Sequence, residues 1–467
     1  MSPTRLRSRP NSMLAPLGAH FALAAGADAA QPEPVSTGTV LPFKPHPLDT
    51  ACTMRAPGSK KVRILGIRGI PAAHGGFETF TEHLALYLVK HGWDVTVYCQ
   101  EDGDGAVCED MWHGIRRVRI PVSTPGVAGT IVFDWRSTLH AIKESGVALT
   151  LGYNTAVFCA LYRLKGLPNV ISMDGIEWRR QKWGKLAKAW FWLNDWLGCW
   201  LGNHLIADHP EIKRHLETRV GGSKITTIAY GADAITTADA AVLQSYGLTP
   251  GNYAVLIARP EPENSILEVV AAWSRQHRGM PLVVLGRYES GHAYQDSVIA
   301  AASGEVLFVG AVYDKPMVQA LRFFARFYIH GHQVGGTNPS LVESLGSGNA
   351  ILAHDNRFNR GVAGDGGVYF DGESDCAAKM DLLLNDAALV DSLKAASRLR
   401  HRDRFTWDNV LKEYETLLED WIDVSDVSAP SAATASCAGP AAMMVHPARE
   451  DDAAMIPTAL ARAHPAE

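Results

Sequence analysis

No two cysteines in this chain stand in Cys-x-x-Cys spacing, and none shares a ligand-spaced pattern with histidine, which excludes a zinc module or a dithiol redox site. The seven that occur, Cys52, Cys99, Cys108, Cys159, Cys199, Cys376 and Cys437, are odd in number and scattered, so a reducing compartment is expected rather than a disulfide framework. Long basic runs are missing as well. Lys and Arg total 44 against 49 Asp and Glu, a net charge of −5, which excludes a dedicated DNA or RNA binder, so no nucleic-acid partner is expected. No stretch of about 20 apolar residues is free of charge, so no spanning helix is expected. The 18 histidines include no His-Glu-x-x-His arrangement.

What is present is ordinary globular material: 467 residues, 47% apolar and 20% charged, enough at about 150 residues per domain for two large domains with tails. Residues 1–59 and 423–467 are rich in Ala, Pro and Ser and read as a disordered leader and tail. Arg5, Arg7 and Arg9 followed by a mildly apolar stretch imitate a secretion signal, but Pro16, Gly18 and His20 interrupt it. Between the tails, short apolar runs alternate with helical patterns. Lys61–Ile67, a Gly-containing loop, a helix from Phe77 to His91 and a strand over Trp93–Tyr98 form a βαβ unit. Runs at Ala148–Leu151, Val170–Met173 and His204–Ala207 extend it. A second series, at Tyr253–Ile257, Pro281–Leu285, Val306–Val309, Phe327–His330 and Ala350–Ala353, predicts a second doubly wound α/β domain, the link lying near Gly231–Asp239. A ligand is expected in the cleft at the carboxyl ends of the strands.

Two loops carry the chemistry. Arg68-Gly69-Ile70-Pro71-Ala72-Ala73-His74-Gly75-Gly76-Phe77-Glu78 leaves the first strand and opens a helix, so Gly75 and Gly76 allow backbone amides to approach an anion, or simply make a tight turn. It is neither a Gly-x-Gly-x-x-Gly fingerprint nor a Walker loop. The second loop, His330 to Glu343, passes Gly335 and Gly336 and enters a helix near Asn338, with Pro339 where its missing N–H costs nothing. Such a helix start can hold a diphosphate, and Glu343 can accept both hydrogen bonds of a ribose diol; alternatively Asn338 is only a cap. Asp102-Gly103-Asp104 has Asp-x-Asp spacing but lies in an acidic loop assigned to solvent, so no metal site is expected. In the Trp-rich segment 183–200, Leu186, Trp190, Leu193, Leu197 and Leu201 have helical spacing and are assigned to a buried core face; the Lys and Arg residues near its start leave an interfacial patch as the alternative.

The stretch Arg68–Glu78, Met173-Asp174-Gly175-Ile176-Glu177-Trp178, Ala229-Tyr230-Gly231-Ala232-Asp233, Ala258-Arg259-Pro260-Glu261-Pro262-Glu263-Asn264 and the His330–Glu343 loop together resemble glycosyltransferases of family 4. The likeness is narrowest to a bacterial subgroup that includes rhamnosyltransferases of polysaccharide assembly, and it runs from about Lys60 to Trp421. It implies a GT-B fold, with an acceptor-binding domain over 60–232 and a nucleotide-sugar-binding domain over 233–422 whose last helix packs back toward the first. It implies transfer of a sugar, first choice L-rhamnose from dTDP-rhamnose, to a lipid-linked saccharide, with retention of configuration, no metal and no cofactor beyond the nucleotide sugar. The expected place is the cytoplasm, with peripheral contact at the inner membrane.

Carried onto this sequence, the resemblance makes Asp174, Glu177 and Arg259 catalytic. It assigns donor binding to Gly75, Gly76, Arg259, Asn264, His332, Gly335, Gly336, Thr337, Asn338, Ser340 and Glu343, and acceptor binding to Arg68, His74, Phe77 and Glu78. Two departures stand out. Family 4 enzymes place two glutamates eight positions apart here, and Gly335 replaces the first; the Lys that usually follows the Arg is absent, leaving Arg259 with Glu261, Glu263 and Asn264. Open alternatives are a UDP-glucose or GDP-mannose hexosyltransferase, an epimerase or phosphorylase of similar shape, and a catalytically weak sugar-binding subunit of an assembly complex.

Overall fold

Short apolar runs separated by helices build two separate, mainly parallel sheets in the computed structural model, which describes residues 60–422 except 74 and 290. The expected leader and tail, the signal-like start and His74 lie outside the described residues. The first sheet comprises β1 (Lys61–Leu65), β2 (Asp94–Asp102), β3 (Cys108–Trp112), β4 (Ile115–Val122), β5 (Val147–Leu151), β6 (Asn169–Met173), β7 (His204–Ala207) and β8 (Ile225–Thr227). Its order is β3-β4-β2-β1-β5-β6-β7-β8. The second comprises β9 (Ala254–Ile257), β10 (Leu282–Leu285), β11 (Val306–Gly310), β12 (Phe327–His330), β13 (Ala350–His354) and β14 (Gly367–Phe370), in the order β11-β10-β9-β12-β13-β14. Both belong to one compact unit of the chain.

Strand order reverses between β1 and β5 in the first sheet and between β9 and β12 in the second, so the loops after these strands splay apart and leave room for a ligand. The loops after β1 and β12 are the two Gly-containing loops singled out above.

Four strands escape the apolar-run reading. β3 and β4 form an antiparallel hairpin at the sheet edge, turned by His113 (φ 48°) and Gly114 (φ 83°), the left-handed pair that a two-residue hairpin requires. Its faces carry ion pairs, Arg116 with Glu109 at 2.7 Å and Arg117 with Asp110 at 2.6 Å, in place of an apolar run. β8 and β14 are short end strands.

The helix Gly76–Lys90 presents Phe80, Leu84 and Leu88 at four-residue spacing and packs them on Val62, Ile64, Val95 and Val97 of the first sheet. The last helix, Trp407–Glu419, joins that core, placing Val410, Leu411, Tyr414, Leu417 and Leu418 in the same cluster. It follows directly from the second half of the chain. Where the chain returns, the N–H of Ala232 donates to the carbonyl of Phe405 (2.8 Å) and Ala232 pairs with Thr406. Gly231 lies so close to Trp407 that an added Cβ would stand 2.6 Å from its ring, which admits only glycine.

The Trp-rich helix, Lys185–Leu201, is turned opposite to the sequence expectation. Its buried residues are Ala187, Asn194, Asp195, Gly198 and Cys199, whereas Leu186, Trp190 and Leu193 face outward and Leu197 and Leu201 are only half-buried. Polar residues win the inner face because each finds partners there: Asn194 accepts from the N–H of Val157 (3.0 Å), and Asp195 receives Trp178 Nε1 and Arg219, both at 2.8 Å. Among the described residues no helix is long and apolar enough to cross a membrane.

Candidate functional site

The two Gly-containing loops meet. An added Cβ on Gly76, at the start of its helix, would lie 3.3 Å from Pro339 and 3.7 Å from Tyr230, so both helix entries open onto one place. The helix Pro339–Gly346 is capped by Asn338, whose side chain accepts from the N–H of Ser340 at 3.0 Å. Gly335 adopts φ 136°, a region that strains residues bearing a Cβ. Gly336 packs against the Asp208 carboxylate, 2.2 Å from where its Cβ would be.

Asp208, directly after β7, is the residue the sequence reading missed. Its Oδ2 accepts from the N–H of Thr337 (2.8 Å), while the Thr337 hydroxyl donates to the Asp208 carbonyl. Oδ1 is buried without a partner, and burial pushes the acid up to about 6, opposed by the Thr337 amide. Thus an internal carboxylate occupies an amide at the entry of the second loop's helix. The available signal was position: an acid immediately after an apolar strand of a parallel sheet stands at its carboxyl end.

Asp174 follows β6 in the same way. Its Oδ1 is buried and unpartnered, and burial, reinforced by Glu177 and Asp208, pushes it up to about 8, which favours the protonated acid. Glu177 is differently placed. It accepts from Arg180 Nη1 at 2.8 Å and Trp183 Nε1 at 3.0 Å, leaving it committed to structure around the loop. Arg180 then reaches across to Glu263 on the second sheet's β9 loop, 3.1 Å from Nε to Oε1, and so joins the two halves of the cleft.

That β9 loop is folded by its own amide. Asn264 is buried and gives Nδ2 to the Arg259 carbonyl (2.8 Å), a structural contact that holds Arg259 at the strand end with its side chain exposed. The N–H of Gln333 donates to the Glu263 carbonyl at 2.9 Å, tying this loop to the β12 loop. His332 stacks on His330 with ring centroids 4.2 Å apart. Burial, then the cationic Arg259 and Arg180, lowers His332 to about 3, and its Nδ1 is buried without a partner. Glu343 lies on the helix, 40% exposed, with Oε2 2.7 Å from Arg322, which also donates to Ser340 at 2.9 Å.

The residues assigned to the acceptor divide. Glu78 is buried and accepts from the N–H of Arg68 (3.2 Å), and Glu82, one turn on, accepts from the N–H of Ala72 (2.6 Å), so both brace the first loop. Phe77 is half-buried against the first core. Asp102 closes β2 at its carboxyl end and Asp104 follows it, both exposed.

A family model described as "Domain of unknown function (DUF1972)" matches residues 59–233. No curated protein matches the chain by sequence. Solved structures resemble it over most of its length. Sucrose-phosphate synthase from Thermosynechococcus elongatus superposes with TM-score 0.62 at 15% identity, covering 77% of this chain and 98% of its own. A trehalose-phosphate synthase (UDP-forming) from Burkholderia vietnamiensis gives 0.62 at 10% identity, covering 78% and 100%. The Anabaena protein HepE, in complex with UDP and glucose, gives 0.60 at 13% identity, covering 77% and 99%. With two parallel-dominated sheets and these neighbours, the chain has the GT-B fold.

Proposed function

We propose that the protein is a nucleotide-sugar-dependent glycosyltransferase of the family 4 type, moving a sugar onto a saccharide in surface or exopolysaccharide assembly. The observation that carries this reading is the contact of the Thr337 amide with a carboxylate: the helix-entry loop of the second sheet already binds an anionic group. The bound UDP and glucose of HepE, a neighbour in fold, support a nucleoside diphosphate as the natural occupant.

In this reading the diphosphate takes amides between Gly335 and Asn338, displacing Asp208 from Thr337, and Arg259, the cation at the end of β9, neutralises charge that grows as the sugar bond breaks. Glu343 accepts the ribose hydroxyls. Asp174, carrying its proton, donates a hydrogen bond that orients the acceptor or the sugar, a task Glu177 is less free to perform. No metal takes part, configuration is retained, and the acceptor is lipid-linked at the cytoplasmic face of the membrane.

L-Rhamnose from dTDP-rhamnose is the donor we favour. Gly335 removes a carboxylate from the sugar position, which suits a 6-deoxy sugar that offers a methyl in place of a hydroxyl. A panel of dTDP-rhamnose, UDP-glucose and GDP-mannose, read by release of nucleoside diphosphate, tests both levels. Turnover of a hexose donor without dTDP-rhamnose would reject the rhamnose assignment; no turnover of any donor, with saccharide acceptors present, would reject the transferase.

A further inference from the structure

We infer that the outward face of the helix Lys185–Leu201 is a docking surface for a membrane carrying anionic lipid. The helix is inverted, polar side in. Leu186 (62% exposed), Trp192 (48%), Leu193 (44%) and Trp200 (54%) stand in solvent, while Asn194 and Asp195 are buried. Neighbouring segments carry the apolar surface onward. Trp190 Nε1 donates to the Asn154 carbonyl (2.9 Å), and Phe158, from the turn that follows, meets the 41%-exposed Trp135 at 5.2 Å. Leu164, 80% exposed, precedes Lys165 on the short helix whose Arg163 reaches the Trp200 carbonyl at 3.4 Å.

Charge selects the occupant. Between residues 150 and 201 the acids are Asp174, Glu177 and Asp195: the first has a buried oxygen, and the others are paired with Arg180 and Arg219. The exposed charges of that stretch, Arg163, Lys165, Arg179, Lys182 and Lys185, are all positive. An aromatic and leucine face whose own segment exposes only positive charges matches the boundary of an anionic bilayer, where indoles settle at headgroup level and basic side chains meet phosphate. The loop leading into this helix begins at Asp174 and carries Arg180, which bonds Glu263 across the cleft. The inference stands on surface chemistry and does not require the transferase reading.

Flotation of the full-length chain with phosphatidylcholine vesicles, with and without phosphatidylglycerol, tests it. Binding is expected to the phosphatidylglycerol vesicles, to fall as salt rises, and to be accompanied by quenching of tryptophan fluorescence by brominated lipid. The pair Leu186→Ser with Leu193→Ser removes exposed side chains, so its melting temperature should match wild type while vesicle affinity falls about tenfold or more. Lys165→Glu with Lys185→Glu should weaken binding to anionic vesicles alone. Absence of flotation overturns the inference, as does unchanged binding by the leucine pair. So does a concentration-dependent dimer that the leucine pair abolishes without any vesicle binding, which would make the face an interface between copies of the chain.

Discussion

The carboxylate of Asp208 lies 2.8 Å from the backbone nitrogen of Thr337, so an acid at the end of β7 in one sheet holds the helix-entry amide of the other. A diphosphate using that amide must displace a like charge. Asp208→Asn keeps an acceptor and removes the charge, so it should tighten nucleoside diphosphate binding by roughly fivefold, about 1 kcal/mol, by calorimetry. Wild-type affinity should also rise as pH falls through about 6, where the acid takes up its proton, by more than in the variant, which retains only the ligand's own titration. Equal or weaker binding by Asp208→Asn would show that the two anions do not compete.

Glu343→Ala tests the ribose contact. Charge-assisted hydrogen bonds contribute about 1.5–3 kcal/mol each, so the nucleotide should bind roughly tenfold or more weakly. Because Glu343 also pairs with Arg322, a melting curve belongs beside the calorimetry. An intact fold with unchanged affinity would remove Glu343 from the site.

Arg259→Lys keeps the charge and loses the forked donor geometry, so turnover should fall while the fold is kept, since the contact that shapes this loop uses the Arg259 carbonyl and not its guanidinium. A variant as fast as wild type would leave leaving-group stabilisation to backbone amides.

Asp174 gives a pH signature. Its acid is raised in the folded state from an ordinary value near 4 to about 8, so the folded chain holds a proton that the unfolded chain releases. That contribution to stability is present in full below about 4 and is lost as pH rises through about 8, at no more than about 1.4 kcal/mol per pH unit. Asp174→Asn should flatten stability between these limits in urea titrations at several pH values. An unchanged slope would place the carboxyl in an ordinary environment.

Turnover should survive EDTA. The diphosphate is assigned to Arg259 and amides, and Asp102 and Asp104 are assigned to solvent, where both stand exposed. Loss of activity on chelation, restored by magnesium or manganese, would reject the metal-free mechanism.

The alternating architecture was legible because central parallel strands, covered on both faces, are written as unbroken apolar runs such as Val283–Leu285 and Tyr328–Ile329. The second helix entry was legible too, since Asn338-Pro339 spells a cap and a first turn. The hairpin of β3 and β4 was not, because its stabilising contacts are between Arg and acidic side chains, which look like a solvent loop in one dimension. Nor could spacing reveal which side of the Trp-rich helix is covered: Asn194 and Asp195 are inside only because Val157, Trp178 and Arg219 come from elsewhere to meet them. Asp208 was hidden for the same reason, its partner lying 129 residues away.

The pairing of Ala232 with Phe405 and Thr406 bears on motion. The chain passes between its two halves at these points, and the passages lie side by side, so a rotation of one half against the other would turn about a line through them. Displacement then grows with distance from that line. A motion about that line that widened the cleft would part Thr337 from Asp208 and Glu263 from Arg180 together.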